Sequence, residues 1–400
     1  MKRKFKMNKA RSYRLLIYPL FWMVIYISVT SCGQEGSVNR ITTDEAFRIF
    51  FYSDSGGITG ADGLFSLLLP DGSSLFMLGD CFLGKVVNGT RDPNTTMLRN
   101  AFVVIDKNRT SAEPVYRGSW ENPLTLMEPV NEPGDSTYRW YWPGHGFVRK
   151  DTLYLFALGL VNIPDTAGTT DPAGQNGSTS PDSEPENIFT FAVTHVDLLS
   201  FSLPGFRHLE TRRADIDYPA NLIDFGNCVL EDEDYIYIYG TKNLPFHAQI
   251  HVARVPAGSS RFYRDWEYYT GEGWDKDIGK SEPMDIDISV SEQFSIFRYR
   301  NKYILLTQER AGNDIYTYIS DLPYTGFHNK KFIYHTPEPD KDPNQHIITY
   351  NALAHRQYIE NDRLLVSYCV NSLNIRDIFD DVEAYRARFL RVPLKYILKE

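Results

Sequence analysis

SDSGGITGADGLFSLLLPDGSSLFMLGDCFLG, residues 53–84, holds two short apolar runs separated by strong turn signals. Leu64–Leu69 is followed by Pro70, Asp71 and Gly72, and Leu75–Leu78 then stops at Gly79 and Asp80. Runs this short between Gly, Pro and Asp punctuation read as strands, and the Pro-Asp-Gly turn makes them a β-hairpin. In an antiparallel pair the start of one strand and the end of the next lie at the same sheet edge. Asp62 and Asp80 are therefore expected on one rim.

The same figure recurs with looser spelling from Gly144 (GHGFVRKDTLYLFALG), Phe225 (FGNCVLEDEDYIYIYGT), Ser291 (SEQFSIFRYRNKYILLTQE) and Tyr350 (YNALAHRQYIENDRLLVSYCVN), with second strands starting 60 to 83 residues apart. Third strands are predicted at Ala101–Ile105, Phe189–Val196, Gln249–Val255, Ile315–Ile319 and Phe389–Val392, and a fourth at Lys331–Tyr334. Repeated antiparallel units with almost no helical periodicity point to an all-β, five-bladed β-propeller over residues 45–400, in which radial repetition protects the sheet edges. Phe47–Tyr52 is expected to lend the last blade an outer strand. A pair of stacked β-sandwiches would instead place a linker near mid-chain. The one low-complexity stretch, Asn162–Glu186, falls inside the second repeat and reads as a rim loop.

Residues 1–31 read as an export leader: a basic start from Lys2 to Arg14, an apolar core over Leu15–Val29, and then Thr30-Ser31-Cys32-Gly33. That ending resembles a bacterial lipobox and implies cleavage before Cys32 and acylation of its thiol, with 32–44 as a tether. The expected place is the cell envelope, lipid-anchored; an uncleaved anchor helix is the alternative. Loss of the leader removes seven basic and no acidic residues, taking the formal net charge from −9 to −16. So acidic a chain excludes a nucleic-acid partner, which needs a basic footprint. Cys81, Cys228 and Cys369 sit in or beside apolar runs without metal-finger spacing and read as packing residues. There is no GK[ST] phosphate loop, GxSxG elbow or HExxH helix.

If the first strands of the blades line the axis, the residues at their starts face one funnel. Asp62, Asp80 and Glu292 are the candidate catalytic carboxyls, and His145, Asn227, Gln293, Tyr350, Asn351 and His355 the candidate substrate-binding residues. Acidic groups on opposite blades suit glycosidic hydrolysis, in which one carboxyl protonates the leaving oxygen while another activates water or attacks the anomeric carbon. Asp62 and Asp80 also have plain readings as turn residues, Glu309 as a surface ion pair, and the two histidines as structural groups. Tyr141, Trp142, Trp274 and Tyr350 could stack on sugar rings or fill blade contacts. No cofactor is called for; a structural calcium ion on the axis is the alternative, though no ligand spacing demands it.

The segments GADGLFSLLLPDGSSLFMLGDCFLG, NAFVVIDKN, VSEQFSIF, IYTYISDLP and ITYNALAH with LLVSYCVNS resemble a group of bacterial lipoproteins known as domain of unknown function 5005. They are similar, more distantly, to domain of unknown function 4185, with its family 183 endo-D-arabinanases, and to the propeller glycosidases of family 43. The resemblance implies a monomeric five-bladed propeller acting on a carbohydrate such as arabinan. It departs from family 43 where blades two and three offer His145 and Asn227 in place of carboxylates. A non-catalytic glycan-binding propeller and a protein-interaction scaffold are the other readings.

Overall fold

The computed structural model describes residues 41–130, 137–162, 191–245, 247–341 and 346–399. The leader, Cys32 and nearly all of the Asn162–Glu186 stretch lie outside the described residues. The described chain is all-β, and five of its sheets are antiparallel with four or five strands each. The first sheet pairs Phe65–Leu68, Ser74–Leu78, Ala101–Ile105 and Ala112–Val115 in that order. Its hairpin turns at Asp71, whose carboxylate accepts from the Ser73 N–H at 2.9 Å, the local bond that makes Asp a turn residue.

The second sheet begins with Arg139–Arg149 and Thr152–Asn162, the third with Ile223–Glu231 and Tyr235–Leu244, and the fourth with Ser295–Tyr299 and Lys302–Gln308. The fifth runs Ile347–Glu360, Arg363–Ser372, Arg388–Pro393 and Thr42–Thr43. Its last strand comes from the opposite end of the chain, with Thr42 opposite Arg391 and Thr43 opposite Leu390. The strand expected at Phe47–Tyr52 is instead the helix Glu45–Phe51. Asp44 caps it by accepting the Phe47 N–H at 3.0 Å, and Phe47 and Phe51, one turn apart, bury themselves against Phe76 and Phe389.

Alternation along the strands sends apolar side chains to both faces, so each sheet must be covered on both sides. Five apolar clusters do this. One joins the first and second sheets (Met77, Phe102, Leu155, Phe201), and the others join second to third, third to fourth, fourth to fifth, and fifth back to first. The first strands of consecutive sheets touch in the same cyclic order, Phe65–Leu68 meeting both Arg139–Arg149 and Ile347–Glu360. Fully buried rings such as Phe76, Phe102 and Phe156 each contribute about 1.5–3 kcal/mol of transfer free energy to this core.

A sixth, three-stranded sheet joins Gly57–Ala61, Cys81–Gly84 and Thr96–Leu98. Gly60 is needed there because a Cβ would lie 2.3 Å from the Tyr385 carbonyl oxygen. The sheet positions the site: the chain leaves it at Asp62 to enter the first blade-like sheet and re-enters it just after Asp80.

Candidate active site

Asp62 and Asp80 occupy the two crossings and are tied by backbone bonds. The Asp62 N–H donates to the Asp80 carbonyl at 3.2 Å, and the Gly79 N–H to the Asp62 carbonyl at 2.9 Å. Gly63 takes a left-handed φ of 62° to make the turn. A Cβ on Gly79 would stand 2.5 Å from Oδ1 of Asp62, so glycine is what lets that carboxyl lie over the crossing.

The two carboxyls have different partners. Oδ2 of Asp62 accepts from the Tyr350 hydroxyl at 2.8 Å, and that hydroxyl accepts from Nδ2 of Asn371 at 3.3 Å. Asp80 takes a guanidinium N–H from Arg99 at 3.0 Å on Oδ2 and the indole N–H of Trp142 at 3.3 Å on Oδ1. Arg99 in turn lies over the Trp140 ring at 4.7 Å. Burial, and then the charge of Asp80, push Asp62 up to about 7. Burial raises Asp80 as well, against the opposing pull of Arg99 and Trp142. The pair thus retains a proton into the neutral range, and the counter-charge on Asp80 makes Asp62 the better place for it.

Glu292 is linked to this group through Tyr350. Its side chain is 52% exposed and faces the Arg310 guanidinium at 3.5 Å. It lines a pocket of about 190 Å³ with Ser291, Glu309, Arg310, Tyr350 and Asn351. Tyr350 therefore belongs both to this pocket and to the Asp62 hydrogen bond. Gln293 packs against the crossing, its Nε2 lying 3.4 Å from where a Cβ on Gly63 would be.

The four other expected binding residues are bonded to the scaffold. Asn351 is buried in a left-handed conformation (φ 55°), and its Oδ1 accepts from the Ser291 hydroxyl at 2.8 Å and the Gln293 N–H at 3.1 Å, clamping both neighbours of Glu292. Asn227, also buried, donates to Thr241 Oγ1, whose hydroxyl donates to the Glu292 carbonyl at 2.9 Å. His355 is fully buried between Ser66 (2.7 Å) and Ser367 (2.9 Å), and so contacts no substrate. His145 accepts the Val229 N–H on Nδ1 at 2.9 Å, which leaves Nε2 to carry the ring proton toward the Ser66 carbonyl at 3.4 Å. Burial pushes His145 down to about 4 and His355 down to about 3, so both rings stay neutral and neither suits acid–base work near neutrality.

Among the aromatics, Trp142 and Tyr350 adjoin the carboxyls. Tyr141 is buried and donates to Asp197 at 2.5 Å, and Trp274 lies on the outermost strand of the third sheet, stacked on Arg254 at 4.1 Å. Asp224 lies three residues before Asn227 on the same strand. It is a buried carboxyl that accepts from the Tyr218 hydroxyl at 2.6 Å and from Asn243 at 3.1 Å. Burial, with added repulsion from Glu292, pushes it up to about 7. Among the described residues no group of three or more His, Cys, Asp or Glu side chains is placed to hold a metal ion.

A family model described as Domain of unknown function (DUF5005) matches residues 44–178 and 177–394. The chain belongs to that family. This DUF5005 member is similar in fold to the crystal structure of a "putative hydrolase" from Bacteroides ovatus ATCC 8483, with a TM-score of 0.67 and 18% identity over 88% of this chain and 90% of that one. Weaker likenesses are a GH43_1 enzyme from Xanthomonas citri (TM-score 0.42, 12% identity, 84% and 89% covered) and Zg3597, a family 117 glycoside hydrolase from Zobellia galactanivorans (TM-score 0.44, 9% identity, 90% and 92% covered). No curated protein matches the sequence.

Proposed function

We propose that this DUF5005 protein is a glycoside hydrolase built on a closed five-bladed β-propeller. Five inter-sheet cores in cyclic order and the Thr42–Thr43 strand completing the fifth sheet support the closed ring. The observation that carries the activity is the proton-retaining Asp62–Asp80 pair, joined through Tyr350 to a pocket that contains the exposed Glu292.

Asp62 gives its proton to the glycosidic oxygen as the bond from that oxygen to the anomeric carbon breaks. The Glu292 carboxylate takes a proton from the water that bonds to the anomeric carbon, and solvent returns the two groups to their starting states. Asp80, held by Arg99 and Trp142, keeps a negative charge beside Asp62 and so keeps Asp62 protonated. Trp142 and Tyr350 offer faces for a sugar ring. The resemblance to arabinan-cleaving families directs the substrate choice to furanoside polymers. A monomer exported and anchored through an acylated Cys32 completes the reading.

Release of reducing ends from arabinans, arabinogalactans and aryl furanosides tests it. Hydrolysis of a furanoside is the expected result. Tight binding of these glycans without cleavage would overturn the enzyme in favour of a glycan-binding propeller.

A further inference from the structure

A cavity of about 590 Å³ opens on the axis toward the other end of the first strands, away from Asp62 and Glu292. All five blade-like sheets line it. Ser66, His145 and Ser295 line it together with Lys150, which follows the strand Arg139–Arg149, Glu231, which ends the strand Ile223–Glu231, and Arg356 in the second half of Ile347–Glu360. Its size falls in the range of small-molecule sites.

The charges in it are unbalanced. Glu231 is paired with Arg149, which is 3.1 Å away, so its charge is already met. Arg356 adds to the positive field at Glu231, but neither it nor Lys150 has an ion-pair or hydrogen-bond partner within contact distance among the described residues. In a chain with a formal net charge of −9, two cations, both exposed, stand at the mouth of one cavity. His145 adds no positive charge, because burial and the nearby Arg356 keep its ring neutral. An anion entering here accepts charge-assisted hydrogen bonds from both cations at once, with the apolar cavity wall behind it.

We propose that this second cavity binds a small anion bearing a carboxylate or phosphate group, held by Arg356 and Lys150. The site is separate from the carboxyl rim and does not depend on the glycosidase reading.

Thermal unfolding of the full chain tests it, with millimolar galacturonate, inorganic phosphate, neutral galactose, and potassium chloride at matched ionic strength. Galacturonate or phosphate should raise Tm by about 2 °C, and galactose and chloride should not. A rise with galacturonate alone assigns the site to acidic sugars, and one with phosphate alone assigns it to phosphate. The double variant Arg356→Gln/Lys150→Gln should lose the shift, and Glu231→Gln, which frees Arg149, should enlarge it. No shift with either anion, an equal shift with galactose, or an undiminished shift in the double variant would overturn the proposal. Should the double variant not fold, an unchanged or smaller shift in Glu231→Gln would do so.

Discussion

The Tyr350 hydroxyl donates to Oδ2 of Asp62 across 2.8 Å, linking the fifth sheet to the crossing that precedes the first. This bond favours the ionised form of Asp62 and so opposes the burial that keeps it protonated. Tyr350→Phe should therefore move the Asp62 proton loss to higher pH. In a profile of kcat against pH the alkaline limb should shift upward, with a stability cost of about 1 kcal/mol for the lost bond. An unmoved or lowered limb would separate Tyr350 from the proton that matters.

Asp62 should also cost the fold stability at alkaline pH. Its folded value of about 7 lies above the ordinary 3.8, so both states are protonated in strong acid and no penalty arises. As pH rises from 3.8 to 7 the unfolded chain releases the proton while the fold keeps it, and the penalty grows to a few kcal/mol before levelling off. Asp62→Asn should melt above the wild type at pH 8, with the gap closing toward pH 4. Asp224→Asn should behave alike, given its rise to about 7. Melting curves across that range check both, and a gap independent of pH would contradict the assignment.

Asn351 separates hydrogen bonding from backbone conformation. Asn351→Ala leaves the Ser291 hydroxyl and Gln293 N–H without their acceptor and replaces a residue that tolerates a left-handed φ of 55° with one that tolerates it poorly. Asn351→Gly loses the same acceptor but relieves the strain. Both should lose stability by about 1–3 kcal/mol, with glycine the milder by about 1 kcal/mol in chemical denaturation.

The buried thiols of Cys81, Cys228 and Cys369 are free, and burial pushes Cys228 up to about 12. They should resist a thiol reagent in the native protein and react once it is unfolded. Rapid native labelling at any of the three would contradict the packing described.

If Cys32 carries a lipid, Cys32→Ala should move the protein from the membrane fraction to the soluble one on cell fractionation. Retention in the membrane would contradict the anchor.

The hairpins were legible because their turns announce themselves: Pro70-Asp71-Gly72 ends one apolar run and starts another, and Asp71 then makes the local bond its sequence promises. The helix at Glu45–Phe51 was misread because Phe47–Tyr52 is apolar and short. The signal was the Asp44 cap with Phe47 and Phe51 one turn apart. The three-stranded sheet hid in a glycine-rich run, where close backbone approach rather than side-chain pattern requires glycine. For the site, local sequence placed Asp62 and Asp80 at one edge, since their proximity is a property of one hairpin. Whether Asn227, Asn351 and His355 face a ligand depends on Thr241, Ser291 and Ser367, partners set by tertiary packing. Asp224 becomes notable only when Tyr218 and Glu292 are seen beside it.

The most direct test of the central claim is the rate of furanoside hydrolysis by Asp62→Asn and Glu292→Gln against the wild type, from pH 5 to 9. The account predicts a loss of about 100- to 10,000-fold in each variant, and a wild-type rate that falls as pH rises through about 7 because Asp62 loses the proton it must donate. Wild-type rates retained in Asp62→Asn would contradict it.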